Sequence, residues 1–104
     1  MKVVNIFEEG TFSDKAMKKN LVHDSPYFRI INFNFRAGQE LPIHSHELEG
    51  ELSIQVLEGE GEYLAKDRTL PARAGDILVC AIEESHGIRA VTDMRVLVTI
   101  APPI

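Results

Sequence analysis

A chain of 104 residues, 44% apolar and 26% charged, has room for one globular domain around one modest core. Its net charge of −5 is spread over interleaved acidic and basic positions with no basic run, which excludes a protein that tracks a nucleic-acid backbone. A single cysteine, Cys80, excludes an internal disulfide, and no apolar stretch has the length of a membrane span or a signal-peptide core, so a cytoplasmic protein without a membrane partner is expected.

In chain order, "KVVNIF" reads as a strand with no evident partner. "SDKAMKKN", Ser13 to Asn20, places a Ser N-cap before a short charged helix, with a single turn or an irregular strand as the alternatives. "YFRIINFNFRAG" sets Ile31, Phe33 and Phe35 on one face and Asn32, Asn34 and Arg36 on the other. "ELSIQVLEG" does the same with Leu52, Ile54 and Val56 against Glu51, Ser53 and Gln55. "GEYLA" and "RTLPARAG" flank "KD" as a hairpin. "DILVCAI" is a nearly continuous apolar run, the pattern of a strand buried on both faces. "IRAVT" and "MRVLVTIA" supply two further strands, split at Thr92-Asp93, and "PPI" cannot continue the last of them. Short strands with a turn signal roughly every ten residues predict an all-β sandwich or barrel.

Chemistry concentrates at "PIHSHELEGEL". Residues i and i+2 of a strand share a face, so His44 and His46 can enter one cavity and bind one metal. Alone, H-x-H equally describes two solvated histidines. Two glycines and a third histidine add to it. Gly38 stands six residues before His44, and Gly75 stands eleven before His86, across the apolar run.

With these spacings the sequence resembles a small cupin. The family's first motif is glycine, five residues, H-x-H, three or four residues, glutamate, six residues, glycine. Here Gly38 is followed by five residues, His44-Ser45-His46, four residues, Glu51 and seven residues to Gly59. In the second motif Gly75 and His86 keep the family spacing, whereas Ala81, Glu83 and Ala90 replace its proline, glycine and asparagine. The likeness runs over roughly 28–100 and includes "VLEGEGEY".

The resemblance implies a double-stranded β-helix, or jelly-roll barrel, as a single cupin domain over 1–104. It assigns His44, His46 and His86 to the family's three histidine ligands, with a divalent transition metal (Fe, Mn, Ni or Zn) as cofactor. Glu51 is the nearest candidate for a fourth ligand, but the family position falls on Leu52, and a one-residue slip turns a strand side chain to the other face. A bulge near Gly50 that re-aims Glu51, a substitute among Glu47, Glu49 and Gln55, or a site of three histidines alone are the alternatives.

His23 reads as a surface residue and Cys80 as a buried, inert thiol. Arg89 is either a contact for an anionic substrate or a surface arginine. Phe33, Phe35, Ile54, Val56 and Ile88 are expected to line an interior that admits a small molecule, a carboxylate or a thiol. Three functions follow: a metal-dependent dioxygenase, decarboxylase or isomerase; a non-catalytic ligand-binding or sensory module; and a cupin without a stable metal. A homodimer is expected, with the segment 1–27 exchanged between copies to cover an open strand edge.

Overall fold

The computed structural model describes residues 1–104. The chain forms a one-turn helix, α1 (Ile6–Glu9), and nine strands: β1 (Lys18–Asp24), β2 (Arg29–Phe35), β3 (Glu40–His44), β4 (Glu51–Glu58), β5 (Glu60–Ala65), β6 (Thr69–Arg73), β7 (Ile77–Ala81), β8 (His86–Ala90) and β9 (Met94–Ala101). They build two antiparallel sheets, in the orders β1-β2-β9-β4-β7 and β3-β8-β5-β6. From β2 onward the chain crosses between the sheets at every connection except the β5–β6 hairpin over Lys66-Asp67. This is the jelly-roll arrangement that the family resemblance implies, within the all-β sandwich or barrel that the strand spacing predicts.

Period-two alternation determines what faces inward. Leu52, Ile54 and Val56 of β4 and Met94, Val96, Val98 and Ile100 of β9 are buried, while their neighbours are exposed or half-buried. With Phe33 and Phe35 of β2, and Tyr63, Ile82 and Ile88, they belong to a contiguous core of 15 residues. Each fully buried Phe, Ile or Val contributes about 1.5–3 kcal/mol through its removal from water. Tyr63 keeps its hydroxyl satisfied by donating to the Ile54 carbonyl (3.1 Å), and burial, ahead of the Asp76 charge, pushes its pKa up to about 12.

Three local expectations change. The helix is not at Ser13–Asn20, where a bend leads into β1; it is a single turn at Ile6–Glu9, capped by the Asn5 side chain, which accepts from the Phe7 N–H (2.9 Å). "KVVNIF" is therefore not a strand. The segment from α1 to Phe12 lies over the outer face of β2, and this explains the second change. Asn32 and Asn34, expected on a solvated face, are buried. Asn34 donates to the Thr11 carbonyl (3.0 Å), and Asn32 donates to Asn34 Oδ1 (3.0 Å) and the Val96 carbonyl (3.1 Å). Gly10 permits this approach, because a Cβ there would stand 2.5 Å from Asn34 Nδ2 and 2.8 Å from the Ile6 carbonyl oxygen. Arg95 clamps the segment: it pairs with Glu58 and lies over the rings of Phe7 (5.0 Å) and Phe12 (4.8 Å).

The third change is at β7. It is an edge strand, bonded only to β4, and nothing covers its outer face. Ile77 (58% exposed) and Val79 (65%) face outward, while Leu78 and Cys80 pack against the core. No helix of the chain is long and apolar enough to cross a membrane.

Candidate metal centre

Two turns and one close strand approach bring the histidines together. Gly38 and Gly75 both have positive φ (88° and 93°), the left-handed conformation glycine adopts freely, and each turns the chain shortly before β3 or β7. Gly87 lets β3 and β8 close on each other, since a Cβ there would stand 2.6 Å from the Leu41 carbonyl oxygen and 2.9 Å from the Ile43 nitrogen. His44, the last residue of β3, consequently lies directly opposite His86, the first of β8. The chain then leaves β3, and the His46 N–H donates to the Ile82 carbonyl (3.2 Å), anchoring the second imidazole beside the first.

The ring centroids of His44 and His86 are 4.5 Å apart, and those of His44 and His46 are 5.4 Å apart. All three line one cavity of about 310 Å³. His86 is buried (5% exposed), His44 is half-buried and His46 is exposed at the rim. Burial, and then the neighbouring His44 and His46, depress the His86 pKa; its bond to the Glu84 carbonyl and the Glu84 charge oppose this. Nδ1 of His86 lies 2.6 Å from the Glu84 carbonyl oxygen and Nδ1 of His44 lies 2.7 Å from that of Pro42. A carbonyl oxygen only accepts, so in the neutral ring Nδ1 carries the proton and the Nε2 lone pair is free for a ligand. Nδ1–H bonded to a carbonyl with Nε2 available is the orientation that metal-ligating histidines use.

The chemistry of this donor set suits a divalent transition metal: three imidazoles at the rim of a cavity with an apolar floor. The three rings share the cavity, but no group of three His, Cys, Asp or Glu side chains is arranged so as to hold a metal ion.

Glu51 does not join the histidines. It is exposed and pairs with Ala81 on one side and Ala101 on the other, while Leu52 (3% exposed) takes the inward place and lines the cavity. The alternation left this open to rescue by a bulge, but the pairing of β4 is regular from Glu51 to Val56, and its irregularity falls between Val56 and Glu58, beyond the site. Glu47, Glu49 and Gln55 do not line the cavity either.

Arg89 is a surface residue beside Glu40 (3.9 Å) and Glu62 (3.7 Å). Of the five residues expected to line the interior, Phe33 and Ile54 do; Phe35, Val56 and Ile88 lie deeper, in the packed core. The rings of His23 and Phe28 are tilted against each other with centroids 4.7 Å apart, and His23 does not line the cavity. Cys80 is half-buried, and burial followed by the Glu84 charge raises its thiol pKa, as suits an inert thiol.

The two charged lining residues escaped the sequence reading. Arg29 is in phase with Ile31, Phe33 and Phe35, so its period-two position was a usable signal. Lys19 was not legible, because its segment read as a short charged helix, a single turn or an irregular strand, and none of these assigns it an inward face.

The family model described as "Cupin domain" matches residues 32–100. No curated protein matches the sequence. Among solved structures, an RmlC-like cupin protein from Desulfovibrio desulfuricans is 56% identical, with a TM-score of 0.96 over 100% of this chain and 99% of that one. KdgF from Halomonas sp. is 21% identical, with a TM-score of 0.82 over 98% of this chain and 94% of its own. Ectoine synthase from P. lautus is 23% identical, with a TM-score of 0.77 over 100% of this chain and 80% of its own. The last two likenesses are of fold alone.

Proposed function

This chain belongs to the cupin family, and from that premise we propose that His44, His46 and His86 hold one divalent transition-metal ion (iron, manganese, nickel or zinc) and that the protein is a metal-dependent enzyme acting on a small molecule. The observation that carries the proposal is the His44–His86 pair. The two residues are directly opposed on β3 and β8, with ring centroids 4.5 Å apart, and each ring is fixed by an Nδ1 bond to a carbonyl that leaves Nε2 free. A metal held there supplies Lewis acidity or an oxygen-activating centre.

The protein's own groups provide the rest. The Pro42 and Glu84 carbonyls orient the rings. Ile31, Phe33, Leu52, Ile54, Val98 and Ile100 make a floor that keeps bulk water from the ligand and strengthens polar contacts at the mouth. Burial keeps His86 neutral and available as a donor near neutral pH. Ectoine synthase, by its name an enzyme, has the same fold, and a dioxygenase, decarboxylase or isomerase fits the present site.

Leu52 in the inward place of the family's glutamate favours a second reading, a cupin that binds a small ligand without turnover or without a stable metal. Elemental analysis of protein purified without a histidine tag decides first. About one ion per chain is expected, lowered strongly by His44→Ala and by His86→Ala. Substoichiometric metal unchanged by His44→Ala overturns the metal centre. Oxygen uptake and product analysis on the Fe(II)-loaded protein, with small thiols, diketones and carboxylates, then separate turnover from binding.

A further inference from the structure

The cavity has two chemically unlike walls. The histidines enter from β3, the segment after it, and β8, while Lys19 of β1 and Arg29 of β2 line the cavity from the five-stranded sheet. Register puts both cations there. Arg29 leads the inward series of β2, and Lys19 stands opposite Phe33 across the β1–β2 pair. No Asp or Glu side chain lines the cavity. Lys19 has no ion-pair partner.

Arg29 is half used. Its Nε and Nη2 donate to the two Asp24 oxygens, both at 3.2 Å, which fixes the plane of the guanidinium. Nη1 is not used by Asp24; it donates to the backbone oxygen of Ile104, a residue that itself lines the cavity. Asp24 thus leaves Nη1 of Arg29, beside the cavity-lining residue Ile104, outside its own pairing.

We propose that this cavity selects small amphipathic carboxylates, with the carboxylate received by Arg29 Nη1 and Lys19 in place of the Ile104 oxygen and the apolar body lying against Met17, Ile31, Leu41 and Leu52. The assignment rests on the reading of this cavity as the functional site. An anion entering an apolar cavity loses hydration that only an opposite charge or several donors can offset. A pre-oriented guanidinium edge and an unpaired ammonium supply both, and the guanidinium plane matches a carboxylate. A neutral isostere forgoes the charge-assisted bonds; an anion without an apolar body forgoes the floor.

Calorimetric titration with isovalerate, isovaleramide and acetate tests this, on the protein as purified and again after chelator treatment. Isovalerate is expected to bind about tenfold more tightly than either comparison ligand in both preparations. Arg29→Gln should abolish the preference for isovalerate over isovaleramide. Lys19→Gln, at an exposed position, should reduce it about threefold. If Arg29→Gln does not fold by circular dichroism, Arg29→Lys and Lys19→Gln decide. Equal affinity for isovalerate and isovaleramide, or a preference that folded variants leave unchanged, overturns the proposal. Metal content separates the two readings. A protein that binds no metal yet prefers isovalerate through Arg29 loses the metal centre and keeps the carboxylate site. A protein that binds metal but shows no such preference does the reverse.

Discussion

His44 and His86 are a directly opposed cross-strand pair, at the end of β3 and the start of β8, with their ring centroids 4.5 Å apart. Forty-two positions separate them in the chain, and the pairing exists because β3 and β8 meet closely at Gly87.

Gly87→Ala should therefore damage the centre without touching a ligand. The added methyl meets backbone, the Leu41 oxygen at 2.6 Å and the Ile43 nitrogen at 2.9 Å, so the strands must part. A loss of about 1–3 kcal/mol in urea unfolding is expected, together with a weaker zinc affinity by competition with a chromogenic chelator. Wild-type affinity in Gly87→Ala would show that strand spacing does not set the site.

Leu52→Glu should install an inward carboxylate beside the imidazoles. In chelator-treated protein this buried acid is expected to cost about 3 kcal/mol. Added zinc should return most of the loss and bind more tightly than to the wild type. Thermal melts with and without zinc check it; a loss that zinc leaves untouched would mean that position 52 does not reach the histidines.

His86 gives the metal-free protein a pH signature. Its folded-state pKa lies below the ordinary histidine value of 6.5 through burial, so the unfolded chain binds more protons in that window. The penalty is complete below the folded value and disappears as pH rises to 6.5. Stability should climb with pH across this interval, and His86→Gln should flatten the slope. Urea midpoints in chelator at a series of pH values measure it.

Ile77 and Val79 give the expected homodimer a concrete surface, an apolar outer face on an edge strand whose backbone is bonded on one side only. Sedimentation should give twice the chain mass of 11.6 kDa, and the double substitution Ile77→Lys, Val79→Lys should halve it. A monomeric wild type at micromolar concentration would rule out the pair.

The parts of this fold legible in the sequence are those governed by short-range rules. The alternation in β4, the β5–β6 turn and the break at Thr92-Asp93 each appear as local patterns and take the expected form. The cupin resemblance, read from two glycines and three histidines, agrees with the family match over residues 32–100. Glu51, the expected fourth ligand, needed a bulge to turn it inward against the alternation; the pairing of β4 is regular there, and Leu52 takes the inner place. What was not legible depends on neighbours distant in sequence. Asn32 and Asn34 are buried only because the chain returns over them at Gly10 and Thr11. Ile77 and Val79 are exposed only because β7 lies last in its sheet, a property of topology that an apolar run does not encode. Lys19 reaches the cavity through its pairing with Phe33, and its own short charged segment carries no sign of this.

The order β3-β8-β5-β6 leaves β3 bonded along one side only. Fraying of that strand would swing the imidazole of His44 away from its counterpart while the interior of the barrel stays shut. The rate at which an ion enters or leaves would then follow the free energy of a local opening, well below that of unfolding the whole molecule. Amide exchange along Glu40–His44 would be the clock for both events.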